Sequence, residues 1–167
     1  GQAWVRQHQA WVAFLSGDTA LAETRLLTSA QEFDLLGDRA GRGWAGGLLA
    51  YVRFYQGRFE EAEVLANAVR QEAVALGDAW APAMMDSLVS SIRLWATRFG
   101  EAEELSRKAL QAFRQLGDRF GIATTFSGDA ILSAFELRLQ IRERRRAFQL
   151  GVLLREHSQR DVLHRDG

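Results

Sequence analysis

Apolar residues recur along most of the chain at the three- and four-residue spacing of an amphipathic helix. Between residues 58 and 76 they fall at Ala62, Leu65, Ala66, Val69 and Ala73, which places them on one helical face. The same periodicity, interrupted at glycines, predicts eight helices. Their expected ranges are 2–16, 19–36, 39–56, 58–76, 79–96, 99–116, 119–139 and 141–160.

A Leu-Gly-Asp triplet separates successive pairs of these helices. It occurs at residues 36–38, 76–78 and 116–118. Glycine accepts the left-handed backbone conformation that ends many helices, and aspartate is a favoured cap at the start of the next one. The single proline, Pro82, falls in the first turn of a predicted helix, where its missing N–H breaks no helical hydrogen bond. The triplet therefore predicts tight helix-to-helix turns.

The triplets are 40 residues apart, and other segments repeat with the same period. The string RFEEAEVL at 58–65 returns as RFGEAEEL at 98–105. Two sets of single residues are also in register: Ala22 with Ala62 and Ala102, and Phe33 with Ala73 and Phe113. A period of 20 to 50 residues indicates stacked supersecondary units that bury their apolar faces against their neighbours. We expect an all-α solenoid built from two-helix units.

Gly57, followed five residues later by Ala62, and the boundary string DRFGIA at 118–123 resemble tetratricopeptide repeats (TPRs) of the 40-residue variety. The resemblance covers about residues 1–125. It implies a right-handed superhelix of antiparallel helix pairs, with repeats at about 1–38, 39–78, 79–118 and 119–137. It also implies that the first helix of each pair lines the concave surface, and that the chain is a fragment of a larger bacterial regulator.

The chain departs from the repeat towards its C-terminus. Thr97 replaces the glycine expected between the helices of the third unit, and Asp129 and Arg142 stand at positions that are apolar in earlier units. We therefore expect a repeat array over residues 1–137, followed at 138–167 by a basic helix that is a degenerate last repeat or a cap. Four of its arginines could contact an acidic partner or nucleic acid, although a solvated face is the favoured interpretation. They are Arg142, Arg144, Arg145 and Arg146.

Composition supports helices and removes several classes of function. The chain has 25 Ala and 22 Leu against 9 Val and 4 Ile, a balance that favours helices over strands. The formal net charge is zero, so the long-range field of a general nucleic-acid or membrane binder is lacking. Without cysteine, disulfides and thiolate chemistry are excluded. No segment approaches the ~20 apolar residues of a membrane span, so we expect a soluble cytoplasmic protein.

Candidate catalytic and cofactor motifs are weak. Residues 41–46 match G-x-G-x-x-G, but a dinucleotide fingerprint follows a strand, whereas this segment follows a predicted helix. Glycines here favour close helix packing instead. The three histidines lack the spacing of a metal site, and the carboxylate pairs at 60–61 and 103–104 suit helix N-termini. We expect a non-catalytic protein without cofactor or metal.

Aromatic residues in the first helix of each unit are the strongest functional signal. They form either a groove for a protein or peptide, which could be another domain of the same parent chain, or part of the core. Arg53 and Arg93, 40 residues apart, could clamp a carboxylate or pair with a neighbouring helix. The alternatives to peptide binding are small-molecule sensing and homodimerisation through the ends of the array. The candidate groove residues are Trp4, Trp11, Phe14, Trp44, Tyr51, Arg53, Phe54, Tyr55, Arg93, Leu94 and Trp95.

Overall fold

Residues 1–125 are described by a computed structural model, and every regular element among them is a helix. Residues 119–125 begin a helix after the six complete ones. The bounds predicted for these six from the sequence are each within one residue of those observed. The predicted helix over 141–160, the remainder of 119–139 and the four C-terminal arginines lie outside the described residues. The six are α1 (Gln2–Leu15), α2 (Thr19–Leu35), α3 (Arg39–Tyr55), α4 (Phe59–Ala75), α5 (Trp80–Trp95) and α6 (Phe99–Leu116).

The helices form two layers. Each helix packs against the next one in the chain, and α3 also contacts α1 and α5. Among the six described helices, the backbones of α2 and α4 do not approach each other closely, and neither do those of α4 and α6. The layer of α1, α3 and α5 is therefore the more closely packed side of the array, and it is called the inner layer below.

The turns between helices are made as the triplets predict. Five glycines that follow helices have positive φ angles between 67° and 84°. The aspartate after each Leu-Gly accepts hydrogen bonds from the next helix: Asp38 from the amide of Gly41 at 2.8 Å, and Asp78 from the amides of Trp80 and Ala81 at 2.7 and 3.1 Å. These caps bind otherwise unpaired amides and fix where each first helix starts. The glycines are Gly17, Gly37, Gly57, Gly77 and Gly117.

The core is a row of clusters and not one centre. One cluster joins α1, α2 and α3, and a second joins α3, α4, α5 and α6. Leu65 packs against both. The alanines in 40-residue register, Ala22, Ala62 and Ala102, are each at most 1% exposed. Stability should therefore be local, as in other stacked repeats.

The glycine-rich start of α3 is explained by close packing. A Cβ added at Gly41 would lie closer than 3.0 Å to the ring of Phe33 on α2, and one at Gly46 would lie 3.0 Å from Val69 on α4. Gly43, in contrast, has open space around it. The G-x-G-x-x-G segment lies within a helix that follows another helix, so it lacks the strand-to-helix turn that holds a dinucleotide.

Candidate binding groove

The inner layer carries a groove with a volume of about 700 Å³. It runs across α1, α3 and α5 to the start of the helix at Arg119. Six of the aromatic residues singled out from the sequence line it, together with two that were not. The six are Trp11, Phe14, Trp44, Tyr51, Phe54 and Tyr55, and the further two are Trp80 and Phe120.

The rings are packed against one another yet remain partly exposed. Phe14 meets Tyr55 edge-on, with ring centroids 5.2 Å apart, and Trp44 stacks on Trp80 at 4.7 Å. Tyr55 is nevertheless 67% exposed, Trp44 42% and Trp11 37%. Aromatic pairs in these geometries hold their orientation. The rings therefore form a preorganised surface that still has apolar area to bury.

Tyr51 anchors the floor of the groove. Its hydroxyl donates a hydrogen bond to the main-chain oxygen of Met84 on α5, with 3.2 Å between the oxygens. Burial raises the pKa of the Tyr51 phenol well above its usual value, so the hydroxyl stays protonated and continues to donate. This bond ties α3 to α5 directly beneath the exposed rings.

The groove is uncharged in the part of the chain that the structure describes. Neither an acidic residue nor an arginine or lysine lines it, and its polar lining residues are neutral side chains and a histidine. Such a surface suits apolar, uncharged groups, with a few hydrogen-bonding positions to orient them. The polar residues are Gln7, His8, Ser87, Ser91 and Thr124.

Two of the predicted groove tryptophans lie elsewhere. Trp4 contacts Phe33 edge-on at 5.0 Å and lines a separate cavity of about 720 Å³ on α1 and α2. Trp95, at the end of α5, stacks on Phe59 of α4 at 6.3 Å and is 65% exposed. Leu94 is not among the groove residues either. The interhelical partner of each ring, which helical spacing does not reveal, decides where it points.

Arg53 and Arg93 do not line the groove but join neighbouring helices. Arg53 lies 3.6 Å from Glu23 on α2 and 3.5 Å from Glu61 on α4. Arg93 pairs with Glu63 on α4 and lies 3.1 Å from Glu101 on α6. The three residues of the second group each lie 40 positions after the corresponding residue of the first, so the same ion cluster occurs twice.

Each ion cluster is completed by a fourth residue in the same register. Arg58 lies 2.8 Å from Glu23, and Arg98 lies 2.5 Å from Glu101. Hydrogen bonds from Arg93 hold the pKa of Glu63 below its usual value, and the same contact raises the pKa of Arg93. Arg53 and Arg93 therefore pair with carboxylates of neighbouring helices, which is one of the two roles that the sequence left open for them.

Within residues 1–125, no group of three or more His, Asp or Glu side chains is arranged to hold a metal ion. No described helix combines the length and apolar character needed to cross a membrane.

The two residues that the sequence interpretation missed, Trp80 and Phe120, are related by the 40-residue period. Each lies two positions after the capping aspartate, at the start of a first helix. Extending the aromatic search to that repeat position would have found both.

No protein-family model matches the chain, and no curated protein matches it in sequence.

Proposed function

We propose that residues 1–125 are a TPR-like array, wound as a right-handed superhelix, that binds a protein or peptide segment in its inner groove and performs no chemistry. The observation that carries this proposal is the row of partly exposed rings along the inner layer. Large rings supply contact area at little cost in side-chain entropy, because they have few rotatable bonds.

The absence of charge along the described groove narrows the partner. A segment with several carboxylates would lose hydration there without gaining an ionic partner. The favoured partner therefore presents consecutive apolar side chains, as on one face of an amphipathic helix. A volume of about 700 Å³ lies within the range of sites that bury a drug-sized ligand, so a short stretch of the partner supplies the contact.

Trp11 and Trp95 allow a matched test, since both are partly exposed tryptophans near the ends of inner helices and only Trp11 lines the groove. Peptides selected from a random display library against the wild-type protein would be measured by calorimetry against Trp11→Ala and Trp95→Ala. Losing about 80 Å² of apolar contact weakens binding by about 2 kcal/mol, a roughly 30-fold rise in Kd.

We expect that rise for Trp11→Ala alone, with selected sequences rich in apolar residues and poor in Asp and Glu. Circular dichroism and thermal unfolding of both variants establish that the fold is retained. Equal losses in the two variants, or selection of acidic peptides, would overturn the proposal.

The resemblance to TPRs also supports a parent protein of the bacterial regulator class, in which the groove holds a segment of another domain until a signal releases it. The reading frame around the coding sequence tests this part separately. An adjoining ATPase, cyclase or DNA-binding domain is the expected result, and an unrelated frame would contradict it.

Self-association is a second candidate function, favoured by the exposed face of α1 that carries Val5 and Val12. Val5 and Val12 are 56% and 62% exposed, although they stand in 40-residue register with Ala45 and Val52, which are buried against α2. This face of α1 therefore corresponds to a surface of α3 that packs against other helices, but on α1 no described helix covers it. Sedimentation velocity of the wild type and of Val5→Glu/Val12→Glu tests it: a dimer lost in the variant supports this candidate, and a monomeric wild type excludes it.

A further inference from the structure

A second cavity, with a volume of about 250 Å³, lies among α3, α4 and α5. It adjoins the groove and shares part of its wall, including the stacked pair of Trp44 and Trp80. Its deeper lining is aliphatic or thioether: Val69, Met84 and Met85. Methionine adapts its shape to what it contacts, so this lining can close around an apolar guest.

The cavity arises from a departure at one pair of core positions of the repeat. In the first unit, Phe33 is fully buried and its ring lies against Gly41 so closely that a Cβ there would overlap it. Phe113 and Gly121 repeat that arrangement 80 residues later. These two phenyl rings fill the space between a second helix and the following first helix.

The middle unit has alanine at both positions of this pair. Ala73 stands in register with Phe33 and Phe113, and Ala81 stands in register with the two glycines. Both alanines line the cavity. The space that a phenyl ring occupies in the units on either side is therefore open in the middle of the array.

The charged residues that line the cavity already have partners within the array. Arg39 lies 3.1 Å from Glu72, and Asp78 accepts the amide hydrogen bonds that cap α5. An apolar cavity of about 150 Å³ is large enough for benzene, so the volume here is sufficient for one or two rings. The vacant ring position, the stacked indoles beside it and the paired charges together favour an uncharged planar guest.

We propose that this cavity is a binding site for a small uncharged aromatic molecule of one ring or two fused rings. The guest takes the place of the missing phenyl ring between Ala73 and Ala81. The site goes beyond peptide binding and can be tested separately from it, because Ala73 and Ala81 line the cavity but not the groove. It gives the array a means of sensing a small effector.

The methionines make the site directly observable. The chain has two, Met84 and Met85, and both line the cavity. A protein labelled with ¹³C at the methionine methyl groups therefore gives two signals. The Met85 signal reports on this cavity alone, whereas the Met84 signal reports on both the cavity and the groove. Indole is the probe, and it is titrated against the wild type while both methyl signals are followed.

Filling the vacant position supplies the critical variant. Ala73→Phe/Ala81→Gly recreates the pair found in the neighbouring units, and Ala73→Leu fills the site by a smaller step in case the double variant does not fold. Trp11→Ala is the control, since Trp11 lines the groove but not the cavity. Thermal unfolding and circular dichroism are recorded for each protein.

We expect saturable shifts of both methyl signals with indole, a Kd at least tenfold higher in a filled variant that folds, and an unchanged Kd in Trp11→Ala. Absence of saturable shifts in the wild type overturns the proposal. Wild-type affinity in the filled variants, or loss of binding in Trp11→Ala, also overturns it because binding would then lie elsewhere.

Discussion

The paired substitution Ala73→Phe/Ala81→Gly should stabilise the protein, independently of any ligand. The cavity between these residues measures about 250 Å³. Filling about a third of it gives at most about 2 kcal/mol, at about 24 cal/mol for each Å³ of enclosed cavity removed, because this cavity is partly open to solvent. Replacing Ala81 by glycine near the start of α5 costs up to about 1 kcal/mol in helix propensity. The net gain expected in the free energy of unfolding is up to about 1 kcal/mol.

The single substitutions should behave differently because the ring and the Cβ compete for the same space. A phenyl ring at position 73 meets the Cβ of Ala81, as the ring of Phe33 would meet a Cβ at Gly41. Ala73→Phe alone should therefore be neutral or destabilising, and Ala81→Gly alone should lose up to about 1 kcal/mol. The two changes should be coupled, as residues in direct contact commonly are.

Urea unfolding of the wild type, both single variants and the double variant completes this cycle. A double variant more stable than the sum of the two single changes by about 1 kcal/mol or more is expected. Simple additivity, or a double variant less stable than the wild type, would show that the middle unit does not pack like its neighbours.

Three further predictions concern the turns, the glycines and the ion clusters. Thr97 is a β-branched residue at φ 59°, a backbone conformation for which the array otherwise uses glycine. Thr97→Gly should therefore raise the free energy of unfolding by about 1 kcal/mol in urea, and the control Thr97→Ala should raise it by less. No gain in Thr97→Gly would show that Thr97 is not strained. Gly41→Ala should lower the free energy of unfolding by about 1–3 kcal/mol because its Cβ overlaps Phe33, whereas Gly43→Ala, in open space, should raise it by about 0.5–1 kcal/mol. A change of the same sign in both variants would refute the packing argument. Hydrogen bonds from Arg93 hold the pKa of Glu63 below its unfolded value, so this carboxylate stabilises the fold above about pH 4.3 and loses that effect as pH falls through its lower folded pKa. The stability of Glu63→Gln should therefore depend less steeply on pH in acid unfolding. An unchanged pH profile would show that the pair of Arg93 and Glu63 does not contribute to stability.

Local sequence signals were sufficient for the helices and their turns. Glycine and aspartate act on the backbone beside them, so the Leu-Gly-Asp triplets place helix ends to within a residue. The 40-residue register also indicates which residues are buried, because Ala22, Ala62 and Ala102 all lie in the core. Both signals act within one repeat or between adjacent repeats, which is the range over which a stacked array specifies itself.

Ring orientation and ion pairing were not predictable in the same way. Tyr55 and Trp95 occupy the same repeat position, yet Tyr55 lies in the groove and Trp95 stacks on Phe59 of α4. Arg53 and Arg93 resemble groove residues by helical position, but each faces carboxylates from the helices on either side. These outcomes depend on interhelical partners, which the periodicity of a single helix does not contain.

The indole N–H signals of the tryptophans test the central claim most directly. The chain has five tryptophans: Trp11, Trp44 and Trp80 line the groove, whereas Trp4 and Trp95 lie outside it. In ¹⁵N-labelled protein, addition of a library-selected apolar peptide should shift the first three indole signals and leave the other two in place. Shifts of the Trp4 and Trp95 signals, with the groove signals unmoved, would contradict partner binding in the inner groove.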